Sequence, residues 1–411
     1  MNKKLMAVAV AGAFGVPAAA VAQVEIYGRA NLFVDSYSAT GSTVGAATDF
    51  KSRTRVNDQG SRLGVRGKED LGRGLRAVYQ IESGLNADTG SQSTSVTGGP
   101  SNSSTGFLAS RDSFVGLEGG WGRVLFGRQS LYFGNGAIEQ VTANYVNVGL
   151  PLFSGNLIVP SPTARTSNVL SYTTPNFSGV DATVAIAPQS EGTQASATNN
   201  TDARITALIA RYTGRVNAQL DWAKNKKQTP IPAANSGDQT GIKLGVGYPY
   251  APGAQIALVY VSQKVENIGT GVTTPVNAAL PGTLAAGDSL KQKGWGINWE
   301  HIFGNILALG QYARVNDISG CTGDCSATKA NMYMVGAKYL LSKRTGVYAT
   351  FSQIKNDTKG FTDFTNGGGY TPATANAINL AGASPSAGSG LSPANAGADP
   401  RVIALGIMHN F

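Results

Sequence analysis

The side chains in this chain best suited to chemistry are permanent cations set two apart along alternating segments, and their chemistry is to attract or hold anions. Arg62, Arg66 and Lys68 share one parity of a segment whose other parity carries Leu63, Val65 and Gly67. Arg29 lies on a comparable face with Glu25, Tyr27, Asn31 and Asp35, opposite the row Val24, Ile26, Gly28, Ala30, Leu32 and Val34. Arg211 falls inside a further segment, Arg204 to Thr213. A guanidinium keeps its charge at any ordinary pH and only donates hydrogen bonds, so it is neither a general acid nor a base. Rows of such groups favour anions when they line a pore with low-dielectric walls. On an ordinary wet face they would only find counter-ions, and the spacing alone leaves both readings open.

Catalytic chemistry has little to work with. The two histidines, His301 and His409, both fall in strand-like segments on the parity of the apolar row. A Ser/His pair built on them would sit on an outer wall or rim, so they read as interfacial aromatics. No metal-ligand spacing occurs, and Gly119-Gly120-Trp121-Gly122 reads as a turn in place of a phosphate-cradling loop. No enzyme activity, no cofactor and no metal are expected. Cys321 and Cys325 lie in the run Cys-Thr-Gly-Asp-Cys, which in an oxidising compartment points to a disulfide clipping a loop; a metal or redox site would need ligands that are missing.

Residues 1–22 read as a signal peptide, with Lys3 and Lys4 before a short apolar run and Ala20-Val21-Ala22 as the cleavage site. Residues 23–411 then form the mature chain, with a net charge of about +7. A positive charge could suit nucleic acid, but export and the scatter of the bases argue against it. No stretch after Ala22 offers roughly 20 consecutive apolar residues, which excludes helical spans. With 53 glycines, 14% charged residues and little helical periodicity, the chain is expected to be all-β.

From Val24 onward one unit repeats: an alternating segment, a tight turn, a second segment and a long polar loop. The tight turns include Glu69 to Gly74, Gly119-Gly120, Pro175 to Gly179, Gly214-Arg215, Phe303-Gly304-Asn305 and Ser342 to Thr345. Sixteen segments result, ending with Arg401 to Phe411. Short turns at one end and long loops at the other define an up-and-down, 16-stranded antiparallel transmembrane β-barrel closed by its first and last strands. A soluble sandwich would also alternate, but it would not give this asymmetry of turns and loops. The polar stretches Ala87 to Thr105, Gln189 to Asp202, Gly269 to Gly287 and Gly360 to Ala398 are read as mobile external loops.

One connection stands out. The 37 residues from Gln129 to Arg165 carry Gly134, Gly136, Gly149, Pro151, Gly155, Pro160 and Pro162, and their only charges are Glu139 and Arg165. A connection this long inside a compact domain is functional or it refutes the strand assignment. It is expected to fold inward and set the width of a pore.

The ordered set Val24-Glu25-Ile26-Tyr27-Gly28, Ser61-Arg62-Leu63-Gly64-Val65-Arg66-Gly67-Lys68-Glu69-Asp70-Leu71-Gly72, Gly127-Arg128-Gln129, Ser171-Tyr172-Thr173-Thr174-Pro175-Asn176-Phe177, Leu341-Ser342-Lys343-Arg344-Thr345 and Gly406-Ile407-Met408-His409-Asn410-Phe411 resembles the general porins of the Gram-negative outer membrane, in their β-proteobacterial and neisserial branch. The resemblance implies a homotrimer of such barrels in the cell outer membrane, among outer-membrane lipids and lipopolysaccharide. It implies that the third external loop folds into each lumen, and that the terminal Phe411 is read by the barrel-assembly machinery. It further implies an arginine cluster facing that loop, carried over to Arg62, Arg111 and Arg165. Parity agrees for Arg62 and Arg165; Arg111 fits only outside the membrane zone or past a bulge. Members of the family often have several acids in the loop, whereas this one has Glu139 alone, so its field should be more purely positive.

The sequence therefore points to a water-filled channel for small hydrophilic solutes with a preference for anions. A surface adhesin or receptor on a barrel scaffold is the alternative, and an outer-membrane hydrolase stands third.

Overall fold

The computed structural model describes residues 23–43, 45–58, 60–85, 87–88, 108–132, 152, 157–159, 161–162, 165–188, 203–227, 237–269, 284–364 and 396–411. Among these, no helix is long and apolar enough to cross a membrane. Seventeen strand segments lie among the described residues: β1 (Gln23–Thr40), β2 (Phe50–Asp58), β3 (Arg62–Gly72), β4 (Leu75–Gly84), β5 (Ser113–Gly119), β6 (Gly122–Ser130), β7 (Arg165–Thr173), β8 (Val180–Pro188), β9 (Arg204–Thr213), β10 (Asn217–Lys226), β11 (Gln239–Ala251), β12 (Ala254–Val265), β13 (Leu290–Phe303), β14 (Ile306–Val315), β15 (Ala330–Leu340), β16 (Thr345–Asn356) and β17 (Asp399–Asn410).

Each strand pairs antiparallel with its neighbours, and β1 closes the sheet on β17 from Arg29↔Asn410 to Thr40↔Asp399. Closure leaves no row of bare N–H and C=O groups, which hydrocarbon would not tolerate. β2 and β3 are successive halves of one barrel position, since β3 pairs with Gln23 to Arg29 of β1 and β2 with Leu32 to Ala39. The barrel thus has sixteen positions.

β2 occupies a stretch expected to be loop. Its sequence, FKSRTRVND, is charged and lacks an apolar row. It is a strand because β1 runs on to Thr40 and offers it a pairing edge beyond the apolar zone, where no lipid row is needed.

Alternation is carried through the side chains. On β11, Ile242, Leu244, Val246 and Tyr248 are exposed, while Gly241, Lys243, Gly245 and Gly247 are covered. β13 exposes Trp295, Trp299 and Phe303 and covers Gly294, Gly296 and Asn298. An outer face this apolar suits a sheet whose solvent is lipid. Tight reversals are held by left-handed backbone, as at Gly72, Arg73 and Gly74 between β3 and β4, with φ of 83°, 54° and 76°.

The long connection after β6 is shorter than expected, since Gln129 and Ser130 end β6 and Arg165 begins β7. Its described residues touch strands far from its own. Leu152 and Leu157 join a buried cluster with Val259, Val261, Leu307, Met332 and Tyr348. Leu152 lies so close over Gly294 that a Cβ there would not fit. The Gln292 side-chain oxygen accepts the backbone N–H groups of Ile158 at 2.9 Å and Val159 at 3.3 Å, and Asn225 donates to the Pro162 carbonyl at 3.0 Å. Gln292 and Gly294 lie on the covered face of β13, opposite Trp295, and β13 is six positions round the barrel from β7. Glu139 falls outside the described residues, as do residues 1–22 and most of the four polar loops.

At the long-loop end, the β14–β15 connection braces its neighbours. Cys321 and Cys325 are disulfide-bonded. Thr322 donates to Asp288 through its hydroxyl, at 2.6 Å, and its backbone N–H, at 3.0 Å. Lys359 donates to Asp324 at 2.7 Å, and Lys329 pairs with Asp357 at 3.1 Å. The hydrogen bond from Lys359, helped by Ser326, holds Asp324 well below the ordinary value of 3.8, and bonds from Thr358 and Lys329 lower Asp357. A depressed carboxylate stabilises the fold above its unfolded value and ceases to do so as pH falls through its folded one. Amide protection in residues 316–329, with exchange rates corrected for their intrinsic pH dependence, is therefore expected to stay constant between about pH 5 and 8 and to fall only below pH 3.8. Weaker protection already at pH 5 would contradict the assignment of the brace to these aspartates.

Candidate functional site

Four guanidiniums and two carboxylates meet where β3, β4, β6 and β7 reach the long-loop end. Arg62 opens β3 directly opposite Arg29 of β1. Its guanidinium lies 3.6 Å from Glu82 of β4. Arg111 precedes β5, sends its backbone N–H to the Glu82 carbonyl at 2.9 Å, and donates a second, short bond from its side chain to the Glu82 carboxylate. Tyr27 donates its hydroxyl to the other Glu82 oxygen at 3.0 Å. Arg165 donates to Asp112 at 2.7 Å, and Asp112 also accepts from the Ser130 hydroxyl at 2.9 Å. Arg128 bonds the Ser110 carbonyl at 3.1 Å and Ser167 at 2.6 Å, with no carboxylate in direct contact among the described residues. Arg62 feels the positive charges of both Arg111 and Arg165, and Arg128 that of Arg165, so the cations form one group.

Both acids are held by bonds from the arginines. Four fixed positive charges against two negative ones leave a net positive site, and the low-dielectric barrel wall beside it focuses its field. The cluster can attract and briefly hold an anion. Among the described residues its hydroxyls, those of Tyr27, Ser130 and Ser167, have no imidazole beside them, and the described residues hold no group of three or more acids, histidines or cysteines that could bind a metal ion.

These observations bring the chain to its relatives, because a closed barrel of sixteen positions with an arginine group at one end is matched by a model of Gram-negative porins over residues 7–360. The chain belongs to the Gram-negative porin family. This porin is 29% identical to an outer membrane porin protein of Bordetella pertussis, over 87% of this chain and 95% of that one. It is 26% identical to the major outer membrane protein P.IB of Neisseria lactamica, over 92% and 99% of the two chains. Among solved structures, the anion-selective porin from Comamonas acidovorans shares its fold, with a TM-score of 0.64, 21% identity, and coverage of 95% of this chain and 100% of that one. The family places the porin in the outer membrane, with its short turns periplasmic and its long loops outside.

Of the other sequence candidates, Arg66, Lys68 and Arg211 are paired with acids, while Arg29 stands opposite Arg62 and meets the neutral Asn410. Arg66 is bidentate on Glu25, at 2.8 and 2.7 Å, with its guanidinium over Tyr27, 4.7 Å from the ring centroid. Lys68 shares Glu118 with Arg76, at 3.0 and 3.2 Å. Arg211 lies 3.6 Å from Asp181, and Arg29 donates to Asn410 at 2.9 Å. Exposed pairs of this kind contribute little to stability and mainly cancel field.

Two features of the geometry bear on these expectations. Simple alternation would put Arg165 on the face of Val169 and Ser171, but a bulge intervenes. Asn168 has φ 59°, and the register slips so that Gln129 faces Thr166 and Ser130 faces Arg165. Arg165 joins the cluster through Asp112, not through parity. The field is also less purely positive than the acid-poor loop suggested, because Glu82 and Asp112 stand on the wall itself. Arg128 was missed as a site residue; its place in Gly127-Arg128-Gln129 was the available signal. Arg111 lies before the first residue of β5, which is the position its parity required.

Phe411 exchanges backbone hydrogen bonds with Gly28, at 3.0 and 3.1 Å, and its ring covers that glycine. A side chain at Gly28 would displace the ring. His301 bonds the Tyr250 hydroxyl at 2.9 Å and stacks on Phe303 at 4.0 Å, while His409 bonds the Thr345 hydroxyl at 2.8 Å. Both histidines thus belong to the aromatic rim at the short-turn end.

Proposed function

We propose that the porin is a non-enzymatic, passive diffusion channel for small hydrophilic solutes that prefers anions. The observation that carries the reading is the excess of guanidiniums over carboxylates in the Arg62, Arg111, Arg128 and Arg165 group. The long connection of residues 131–164 narrows the passage opposite that group. Its support is the contact of Leu152, Ile158 and Val159 with the covered face of β13. Solutes too wide for the gap are excluded, and those that enter are sorted by charge. Arg29, Arg66, Lys68 and Arg211 form a weaker, mostly compensated lining, and Glu139 lies in the narrowing connection.

The working unit is a homotrimer. The outward row of β1 and β17, with Val24, Ile26, Val34, Ile403, Leu405 and Ile407, is aliphatic and exposed, unlike the aromatic row of β13. Phe411 serves as the assembly signal, which suits its position at the closing seam.

Planar-bilayer recording of the purified, unheated protein tests the function. Steady stepped currents and a reversal potential displaced toward the anion equilibrium potential are expected. Silent bilayers would favour a plugged adhesin scaffold, and a cation-directed reversal potential would refute the electrostatic half. Neutralising one wall acid gives a graded check: Glu82→Gln should strengthen anion preference, by up to about fivefold in the permeability ratio, since about 1 kcal/mol of opposing field is removed.

A further inference from the structure

Both cysteines of the chain lie in the β14–β15 connection, which packs over the place where the long connection of residues 131–164 docks. Cys325 is 5% exposed and shares a buried cluster with Ile158, Val159, Leu290, Ile318 and Phe361, and Cys321 packs against the side of that cluster. Three connections thus meet at one disulfide. Ser319 exchanges backbone hydrogen bonds with Lys291 at 2.9 Å, and Gly320 lies so close over Ser289 that a Cβ there would not fit. Gln292, next along β13, donates to the Asn316 carbonyl at 3.1 Å with the same side-chain amide that accepts from Ile158 and Val159. The β14–β15 connection and the long connection therefore share one anchor.

A bridge between residues four apart does little for the barrel as a whole, because the stabilisation a disulfide gives grows with the length of chain it closes. Its effect is local. The Thr328 hydroxyl ties the Cys325 carbonyl, at 2.9 Å, to the backbone N–H of Ile318, at 2.8 Å, so the clipped turn and the Ile318 contact move together. Without the S–S bond, the exposed tip would be held by Thr322 on Asp288 and by the Lys359–Asp324 pair. Such surface contacts are individually weak.

The two sulfurs differ in access. Cys325 is buried, whereas Cys321 is half-buried beside the exposed Thr322, Gly323 and Asp324, at the long-loop end. A thiol arriving from outside therefore meets Cys321 without entering the lumen. Its thiolate attacks the Cys321 Sγ, the S–S bond breaks, a mixed disulfide forms at Cys321, and Cys325 leaves as a thiolate that takes up a proton. A second thiol displaces the first, which leaves two cysteine thiols and one oxidised thiol pair.

We propose that Cys321–Cys325 is a thiol–disulfide exchange site whose bond latches the long connection against β13, and that an external small-molecule thiol releases it. Its effect on current rests on the reading that residues 131–164 narrow the passage; the release of the chain does not. The test uses full-length porin, in detergent and in planar bilayers, with dithiothreitol as the thiol. Both cysteines of the folded protein should become open to alkylation by iodoacetamide. Chymotryptic cleavage between Tyr132 and Leu157 should speed up by about tenfold, open-channel noise should rise, and oxidised dithiothreitol should reverse both. The variant Cys321→Ala, Cys325→Ala should be cleaved rapidly without thiol and should not respond to it. Failure of the folded wild-type protein to be alkylated would overturn the exchange site. Alkylation of both sulfurs with cleavage unchanged would overturn the latch, whether or not the variant folds. So would a folded variant cleaved as slowly as the oxidised parent, or one that dithiothreitol still accelerates. Faster cleavage with unchanged currents would support the latch and count instead against the narrowing of the passage.

Discussion

Alanine at Arg62, Arg111 and Arg165 together is expected to turn an anion-preferring pore into one that weakly prefers cations. Arg128 would remain as the single cation beside Glu82 and Asp112, so the sign of the cluster reverses. A unit charge about 6 Å from a passing ion is worth about 1 kcal/mol at an effective dielectric constant of about 50. Losing three such charges should change the anion-to-cation permeability ratio by a factor of about 100 at low salt. Screening shortens from about 10 Å at 0.1 M to about 3 Å at 1 M, so the difference should shrink markedly over that range. Reversal potentials under a salt gradient measure this directly. A triple variant that folds and still prefers anions would mean that selectivity arises elsewhere in the lumen. Unpaired Glu82 and Asp112 also strain the local structure, so the variant needs a folding control, such as unchanged heat-modifiable mobility on gels.

Gln292→Leu is expected to free the long connection of residues 131–164 while leaving the barrel intact. Leucine keeps the volume of the buried side chain but removes the oxygen that accepts from Ile158 and Val159, at 2.9 and 3.3 Å. An orphaned, buried backbone N–H costs about 1–3 kcal/mol. Two of them are enough to raise the population of a detached connection by about tenfold or more. The readouts are greater open-channel noise and new chymotryptic cleavage between Tyr132 and Leu157, with the direction of ion preference kept because the arginine group is untouched. Currents as steady as those of the parent, with no new cleavage, would show that the apolar contacts of Leu152 and Leu157 suffice to hold the chain in place.

These two experiments address the two halves of the proposed device, a charged wall and the chain that faces it, and the halves differed in how far they could be read beforehand. The rows on β1, β3 and β11 are written in residue types two apart, so face and lipid contact follow from alternation alone. Arg62 could be placed on the face opposite Leu63 and Val65 for that reason. Arg165 could not be, because the bulge at Asn168 shifts parity by one and a bulge has no composition of its own. Arg111 lies outside its strand, where alternation makes no statement. Glu82 and Asp112 stand far from the arginines in sequence and meet them only across neighbouring strands, so their partial cancellation of the field was not visible. β2 went unseen because a paired strand beyond the membrane needs no apolar row.

By itself, the sequence determined the all-β class, the sixteen-position barrel, the sides of the sheet that face lipid, and the end at which each loop lies. Those properties are local: they depend on period-two patterning and on turn chemistry, which neighbouring residues fix among themselves. Tertiary structure decided which carboxylates answer which guanidiniums, that Arg128 joins the cluster, and that β13 receives the return limb of the long connection. It also decided that the disulfide of the β14–β15 connection packs beside that limb. Each of these depends on strand register and on closure of the barrel, which bring together residues that no local pattern relates.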